Sequence, residues 1–389
     1  MRSSVAIVRC DDYDESRVLN AVRRALDLVG GIAGFVRPGE LILVKPNLLA
    51  GDPPEHATTT HPAVFAAVVQ LLVEAGARVE YGDSPGTGNP ATAARKAGIT
   101  AAAERFGAHP GRFDEQVELQ LPAGNSIGAA GVPVAQAVLA ADGIVSVPKL
   151  KTHVLMRLTG AVKNQLGCVY GFHKARMHLI APHANRFGEI LVDINSALKP
   201  RLYVMDAVVG MEGNGPRGGS PRKVGVVLVS ADPVALDATA SRLIALDPLH
   251  VPTNVVGHER GHGTYLQTEI DLLGDPLDEV VCSDFDVIRS PARQPLLTHL
   301  IFMKNLLEPR PVIDSDLCKL CGLCVDACPV PSKAVQFAGD DHSSPPVFDY
   351  NPCIRCFCCQ EMCPHEAIRV RTPLLGRLPI ISRIVRGGR

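Results

Sequence analysis

One cysteine pattern, C-x2-C-x2-C-x3-C-P, occurs twice: Cys318, Cys321 and Cys324 precede Cys328-Pro329, and Cys353, Cys356 and Cys359 precede Cys363-Pro364. No other feature so restricts what this chain can fold around. Three thiolates at that spacing wrap the corners of one iron–sulfur cubane, while the fourth cysteine reaches across to a second cluster and its proline turns the chain away. The expected ligand sets are therefore Cys318, Cys321, Cys324 and Cys363 for one 4Fe-4S cluster, and Cys353, Cys356, Cys359 and Cys328 for the other. Zinc also takes C-x2-C pairs, but its four-ligand sites do not call for a triple plus a distant fourth, twice over. Nine of the 12 cysteines fall between Cys318 and Cys363. The opening MRSSVAIVRC reaches Asp11 and Asp12 without the apolar core of an export signal, so metal ligation is expected in place of disulfides. Cys358 is needed by neither set and reads as a small buried hydrophobe.

From Ile313 to about Val370 the chain resembles bacterial two-cluster ferredoxins, with the spacer GDDHSSPPVFDYNP between the halves expected as a surface loop. Such clusters pass single electrons at potentials set by burial and by hydrogen bonds to sulfur. They require a protected, reducing compartment, and a cytoplasmic location is expected.

The other three quarters of the chain are of a different kind. Its 389 residues exceed what one core usually organises. Hydrophobic content of 46%, charged content of 20% and a net charge of -1 mark an ordinary globular protein. No nucleic-acid partner and no membrane span are expected. Residues 1–289 alternate β-branched runs with amphipathic or alanine-rich segments, the pattern of a mostly parallel, doubly wound α/β sheet. Strands are expected at Val5 to Val8, Leu41 to Val44, Arg78 to Tyr81, Gly143 to Val147, Leu202 to Met205 and Val224 to Val229. Helices are expected from Asp14 or Ser16 to Leu28, from His61-Pro62 to Ala75, with His61 as its cap, and from Asp232-Pro233 to Leu246. Residues 290–312 read as a linker with a docking helix, 313–370 as a small α+β two-cluster ferredoxin-like domain, and 371–389 as a basic tail strapped onto its own protein.

In open parallel sheets, ligands bind outside the carboxyl ends of the strands, where loops converge and helix N-termini point inward. All five strand ends read this way are polar or glycine-rich. Lys45 and Asn47 follow one strand; Asp83, Ser84 and Gly86, in GDSPGTGN, follow the next; Lys149, Lys151, Thr152 and His153 follow the third. Asp206 leads into GMEGNGPRGG, with Glu212 and Gly213, and Ser230 to Pro233 ends the fifth. The cations are thus expected to share one crevice. GDSPGTGN reads as a backbone-amide cradle for phosphate or carboxylate, more than as a dinucleotide fingerprint. The stretch around Arg217 reads as a lid or a long turn.

An isolated lysine is ordinarily a solvated surface residue. Lys163 and Asn164, however, lie in the otherwise apolar or small segment Leu158 to Leu166, where a cation needs an anionic partner, either a ligand or a residue such as Asp83 or Asp206. Histidines are more often structural than catalytic. His153 and His173 are the candidates for proton delivery with Lys163, while His173, His178 and His183 lack a familiar metal spacing. Cys168 reads as buried packing in preference to a nucleophile.

The motifs VKPNLL, TTTHPAV, GDSPG, VPKLKTH, GAVKNQLG and MEGNGP together resemble the family catalogued as domain of unknown function 362, across Leu41 to about Asp286. Members often carry a ferredoxin-like module at the C-terminus, so the resemblance implies an iron–sulfur protein and supplies no catalytic assignments. The expected function is an iron–sulfur oxidoreductase in which two 4Fe-4S clusters relay electrons to a small anionic metabolite or a bound redox cofactor. A flavin or deazaflavin would convert single electrons into pairs, though no stretch of the sequence identifies one. Two other readings stand beside it: a non-redox lyase or isomerase with structural or sensory clusters, and an electron carrier that docks a redox partner protein.

Overall fold

Strand β1 (Ser3–Arg9) shows why the first part of the chain folds as it does. Ala6 and Val8 point to one apolar cluster while Val5 and Ile7 point to another, so both faces of the strand are buried. The computed structural model of the chain describes residues 2–86, 88–171, 173–181, 183–292, 301–339 and 341–375. In chain order the further strands of the large domain are β2 (Leu41–Pro46), β3 (Arg78–Tyr81), β4 (His109–Pro110), β5 (Gln116–Gln120), β6 (Gly131–Ala135), β7 (Gly143–Val147), β8 (Lys149–His153), β9 (Arg157–Thr159), β10 (Leu202–Glu212), β11 (Ser220–Ser230) and β12 (Ile270–Gly274). The main sheet runs β12-β1-β11-β10-β7-β2-β3-β4, with β8 continuing alongside β10 and β9 turning back on β8.

Helices cover both faces. Glu15–Leu28, Pro62–Glu74, Pro90–Lys96 and Ile99–Glu104 pack one side. Ala161–Asn164, Ala184–Leu198, Pro233–Leu243 and Pro252–Glu259 pack the other. The helix starts are where the sequence places them. Asp14 accepts from Arg17 N, His61 Nδ1 accepts from Ala63 N at 3.2 Å, and Asp232 accepts from Val234 N and Ala235 N.

Two expectations are corrected. Strand β11 is antiparallel to both of its neighbours, so its carboxyl end lies at the opposite edge of the sheet. Ser230 to Pro233 therefore does not face the crevice; Asp232 instead caps its helix and accepts from Ser3 Oγ and Thr264 N. The strand expected to end at Met205 continues to Glu212, because the register shifts between Ala207 and Val209. The amide of Val208 reaches Asp206 Oδ1 at 3.3 Å and that of Val209 reaches the Tyr13 hydroxyl at 3.1 Å. Asp206 is consequently a residue inside a strand, and GNGPRGG is the turn of the β10–β11 hairpin.

The C-terminal module has its cysteine core around Cys324, Cys328, Cys353, Cys359 and Cys363. Its outer ladder pairs Arg310–Ile313 with Ile368–Arg371, so the module begins inside the expected linker. Helix Ile301–Leu307 docks on it through Lys304 Nζ, which donates to Cys353 O at 2.7 Å. The remainder of the expected linker, 293–300, and most of the basic tail, 376–389, lie outside the described residues. No helix among the described residues is long and apolar enough to cross a membrane.

Candidate functional site

The carboxyl ends of β2 and β3, with Lys151 of β8 and Thr159 of β9, border one cavity of about 780 Å³, and two short helices of the cysteine module, Leu323–Asp326 and Cys358–Glu361, close its far side. Leu323, Asp326, Ala327, Cys358, Glu361 and Met362 line it from the module. From the large domain it gathers Lys45, Asn47, Asp83, Ser84, Gly86, Lys151, Lys163, Asn164 and His173. Nine of the residues singled out in the sequence thus surround one space.

The floor is an ion pair. Lys45 Nζ lies 2.8 Å from Asp83 Oδ1, with both side chains buried, and also donates to Asn164 Oδ1 at 3.1 Å. Asp83 Oδ2 accepts from Leu48 N at 2.7 Å. The segment GAVKNQLG fits against buried carboxylates at both of its glycines. A Cβ on Gly160 would lie 2.1 Å from Asp237 Oδ1, the oxygen that accepts from Ala161 N and so starts the helix carrying Lys163 and Asn164. A Cβ on Gly167 would lie 1.8 Å from Asp83 Oδ1 and 2.7 Å from Lys45 Nζ. Gly167→Ala should therefore drive the pair apart and cost about 3 kcal/mol or more of stability. A melting temperature unchanged by this substitution would show that the pair tolerates displacement.

Lys151 Nζ donates to Asn47 Oδ1 at 2.8 Å and to Thr58 O at 2.6 Å, and no carboxylate among the described residues pairs with it. Burial, with Lys163 nearby, pushes it down to about 7. Lys163 makes no hydrogen bond or ion pair among the described residues, and burial holds it below the usual lysine range. Lys174, which the sequence reading passed over, donates to Ser84 O, to Ser84 Oγ at 3.0 Å and to Pro85 O at 2.9 Å; burial pushes it down to about 8.

Two amides of the glycine loop are turned away from the cavity. The amides of Ser84 and Gly86 donate to Gly167 O at 2.8 Å and Leu49 O at 2.6 Å. The first amides of the helix that follows, Ala91 N and Thr92 N, are capped by Asn89 Oδ1. What the loop presents to the cavity is carbonyl oxygens for Lys174.

Other expected residues stand outside the lining. Lys149 Nζ pairs with Asp206 Oδ2 at 2.8 Å, their side chains 1% and 0% exposed. Tyr13 donates to the other oxygen of Asp206 at 2.9 Å, and His61 stacks on the Tyr13 ring at 3.5 Å between centroids. Thr152 Oγ1 donates to Gly213 O at 3.1 Å, and Glu212 Oε2 accepts from Asp286 N at 2.9 Å. His153 is buried behind the lining. Its Nδ1 accepts from Leu155 N and Met156 N, so in the neutral ring the hydrogen sits on Nε2, 2.9 Å from Glu361 Oε1. Burial, then Lys163, holds that imidazole down at about 4, hence neutral near pH 7. His153 therefore ties the two domains together, and His173 is the one of the two proposed proton donors that borders the cavity. His178 also borders it, stacked on Phe187 at 4.1 Å. Cys168 is packed in the core, its thiol pushed up to about 12, chiefly by burial.

The β10–β11 turn clamps the module in place. Arg217 holds Asp52 with two nitrogens, at 2.6 and 2.9 Å, and donates to Met362 O at 2.9 Å. Gln360 Nε2 donates to Asn214 O at 2.8 Å.

Within the module the cysteines of the repeat lie close together. Cys318, Cys321, Cys324 and Cys363 line one small cavity, and burial together with Cys363, Cys321 and Cys318 pushes the Cys324 thiol up to about 12. Cys359 is pushed up by burial and by Cys356, Cys353, Cys324 and Cys328. Four thiols that disfavour one another's ionisation around a void are the donor set of a cationic iron–sulfur core. Among the described residues no three His, Cys, Asp or Glu side chains converge on a single-ion site. Cys358 is buried yet reaches the cavity, and its thiol is held up by its hydrogen bond with Cys356 and by burial.

Residues 42–242 match the family described as domain of unknown function (DUF362), 201 of 389 residues. The chain belongs to this family. Residues 310–364 match a 4Fe-4S dicluster domain, so the DUF362 domain is joined to an iron–sulfur electron-transfer module. The thylakoid-associated protein sll1697 of Synechocystis sp. is 37% identical over 263 residues, which cover 65% of this chain and 78% of that protein. Among solved structures, the lactate racemase apoprotein of Thermoanaerobacterium thermosaccharolyticum overlays with a TM-score of 0.41 at 10% identity, over 62% of this chain and 57% of the racemase. A Thermotoga maritima protein overlays with a TM-score of 0.34 at 14% identity, over 58% of this chain and 57% of its own.

Proposed function

We propose that this DUF362 protein is an iron–sulfur oxidoreductase that exchanges electrons with an anionic organic molecule held between the sheet and the cluster module. One observation supports this above the rest: the cavity lined by Lys151, Lys163 and Lys174 has the cluster-bearing helices as its opposite wall. When bound, the clusters supply single electrons at potentials set by their surroundings. The chain's own residues do the remainder. Lys151, Lys163 and Lys174 hold the anion, Asn47 and Asn164 orient it, and Phe113, Tyr170 and Met362 exclude water from it. His173 is placed to give a proton to the bound molecule. A bound flavin or deazaflavin would belong in the same cavity as an intermediary.

The test is an anaerobic preparation in which any co-purifying small molecule is identified by mass spectrometry and followed as the clusters are reduced chemically. The expected result is a molecule whose redox state follows that of the clusters, and a Lys163→Ala variant retaining at least about tenfold less of it with cluster absorbance unchanged. Conversion at the same rate with clusters oxidised would replace this reading by a lyase or isomerase. Undiminished electron delivery to a protein acceptor by Lys163→Ala would replace it by an electron carrier.

The pH dependence has a definite sign. Lys151 at about 7 and Lys174 at about 8 attract an anion only while protonated. Affinity should be strongest near about pH 6 and fall progressively toward about pH 9 as these ammonium groups lose their protons. A titration of anion binding that is flat over this window would remove both lysines from the recognition.

A further inference from the structure

We infer that the molecule this cavity accepts is a dicarboxylic acid with an apolar, ring-sized body. The inference rests on the cavity being the ligand site, as proposed above, and names what the site would recognise.

The first argument is charge. Histidines aside, the ionisable groups turned into the interior of the cavity are Lys45, Lys151, Lys163 and Lys174 against Asp83 and Glu361, four cations less two anions, which leaves two positive charges while all four lysines are protonated. Asp114 and Asp326 also border the cavity but are exposed at its rim. Lys45 is answered by Asp83, and Glu361 faces the neutral His153 and the cavity lysines. Lys151 and Lys174 are held by neutral oxygens alone, and Lys163 by none among the described residues. Buried ammonium groups without counter-ions are costly, and a ligand bearing two negative charges removes that cost.

The second argument concerns the kind of anion. Phosphoryl groups are usually received by backbone amides at helix starts and nests, or by the arginine fork. Here the amides of Ser84, Gly86, Ala91 and Thr92 already have acceptors inside the protein, and no arginine borders the cavity among the described residues. The carboxamide nitrogens of Asn47 and Asn164 are likewise engaged inside the protein, so the buried side-chain donors that remain are separate ammonium groups distributed around the space, an arrangement that meets two carboxylates at different points better than one compact phosphate.

The third argument is size. About 780 Å³ lies in the upper part of the range that encloses drug-sized organic ligands. Leu49, Phe113, Leu166, Tyr170, Pro216 and Met362 supply apolar wall, which a short aliphatic diacid would leave largely uncovered.

The experiment is calorimetric titration of the full-length protein, with clusters reconstituted anaerobically, against naphthalenedicarboxylate, naphthoate, succinate, inorganic phosphate and pyrophosphate. Naphthalenedicarboxylate should bind at least about tenfold more tightly than naphthoate or succinate, and both phosphates should bind more weakly than the ring diacid. Lys163→Ala and Lys174→Ala should each bring the diacid down toward the affinity of the monoacid. Equal affinities for diacid and monoacid, a preference for either phosphate, or no binding of any probe would overturn the inference. The comparison among probes uses the unmodified chain, so it holds even if a lysine variant fails to fold. Diacid binding that leaves the cluster midpoint potentials unmoved would preserve the ligand assignment while removing the redox reading of the site.

Discussion

Asp206→Ala should destabilise the protein by about 3–5 kcal/mol, read as a lowered denaturant midpoint, while iron content and anion binding at the cavity stay as they were. The reason is that Lys149, 1% exposed, would keep its charge in the interior with its carboxylate gone. The Tyr13 hydroxyl and the His61 amide, which reaches Asp206 Oδ2 at 2.9 Å, would lose acceptors in the same step. The double variant Lys149→Met with Asp206→Leu should recover much of the loss, since no buried charge is then left unpaired. A loss below about 1 kcal/mol for Asp206→Ala would mean that water reaches Lys149. A large loss with the cavity unaffected would assign Lys149 to the fold.

Cys328→Ala should remove the cluster of the second triple, not that of the triple to which Cys328 is adjacent in sequence. Cys318, Cys321, Cys324 and Cys363 line one cavity, and the Cys359 thiol is held up by Cys356 and Cys353 of its own triple and, from the other half, by both Cys324 and Cys328, so the crossing itself rests on the spacing of the repeat. Iron per chain should fall by about half in Cys328→Ala and in Cys363→Ala alike. The two variants should keep complementary electron paramagnetic resonance signals after reduction. Identical residual signals would break the crossed assignment. Cys358→Ala, by contrast, should keep its full iron complement and shift the potential of one cluster, because it removes a hydrogen bond to the Cys356 sulfur.

What the sequence made legible, and what it hid, follows from the range over which each signal acts. Strands buried on both faces announce themselves by β-branched runs, and Arg78–Tyr81 and Gly143–Val147 fall where expected. Direction is not written in such a run, so the antiparallel course of β11 was invisible and Ser230 to Pro233 was placed on the wrong edge. Helix starts are local chemistry, and Asp14, His61 and Asp232 read correctly. Counter-ions are not local: nothing adjacent to Lys149 or Lys163 reveals that the first meets Asp206 across the sheet while the second meets no carboxylate at bonding distance among the described residues. Lys174 was lost in a polar segment where every residue looked like surface. Glu361, which faces His153, lay inside CCQEMCP, where the cysteines explained the whole motif. That the Ser84 and Gly86 amides are engaged was hidden for a related reason, since their acceptors, Gly167 O and Leu49 O, come from other loops.

Met362 packs over Gly86, and Leu323 and Ala327 also line the cavity, so part of its wall belongs to the module that carries the cluster cysteines, and binding a metal group commonly couples to the folding of the segment that holds it. A chain starved of iron would lose one side of that container along with its clusters. If the cavity holds the molecule proposed above, its retention would report on metal supply, and, since linkage is reciprocal, an occupied cavity would favour retention of iron.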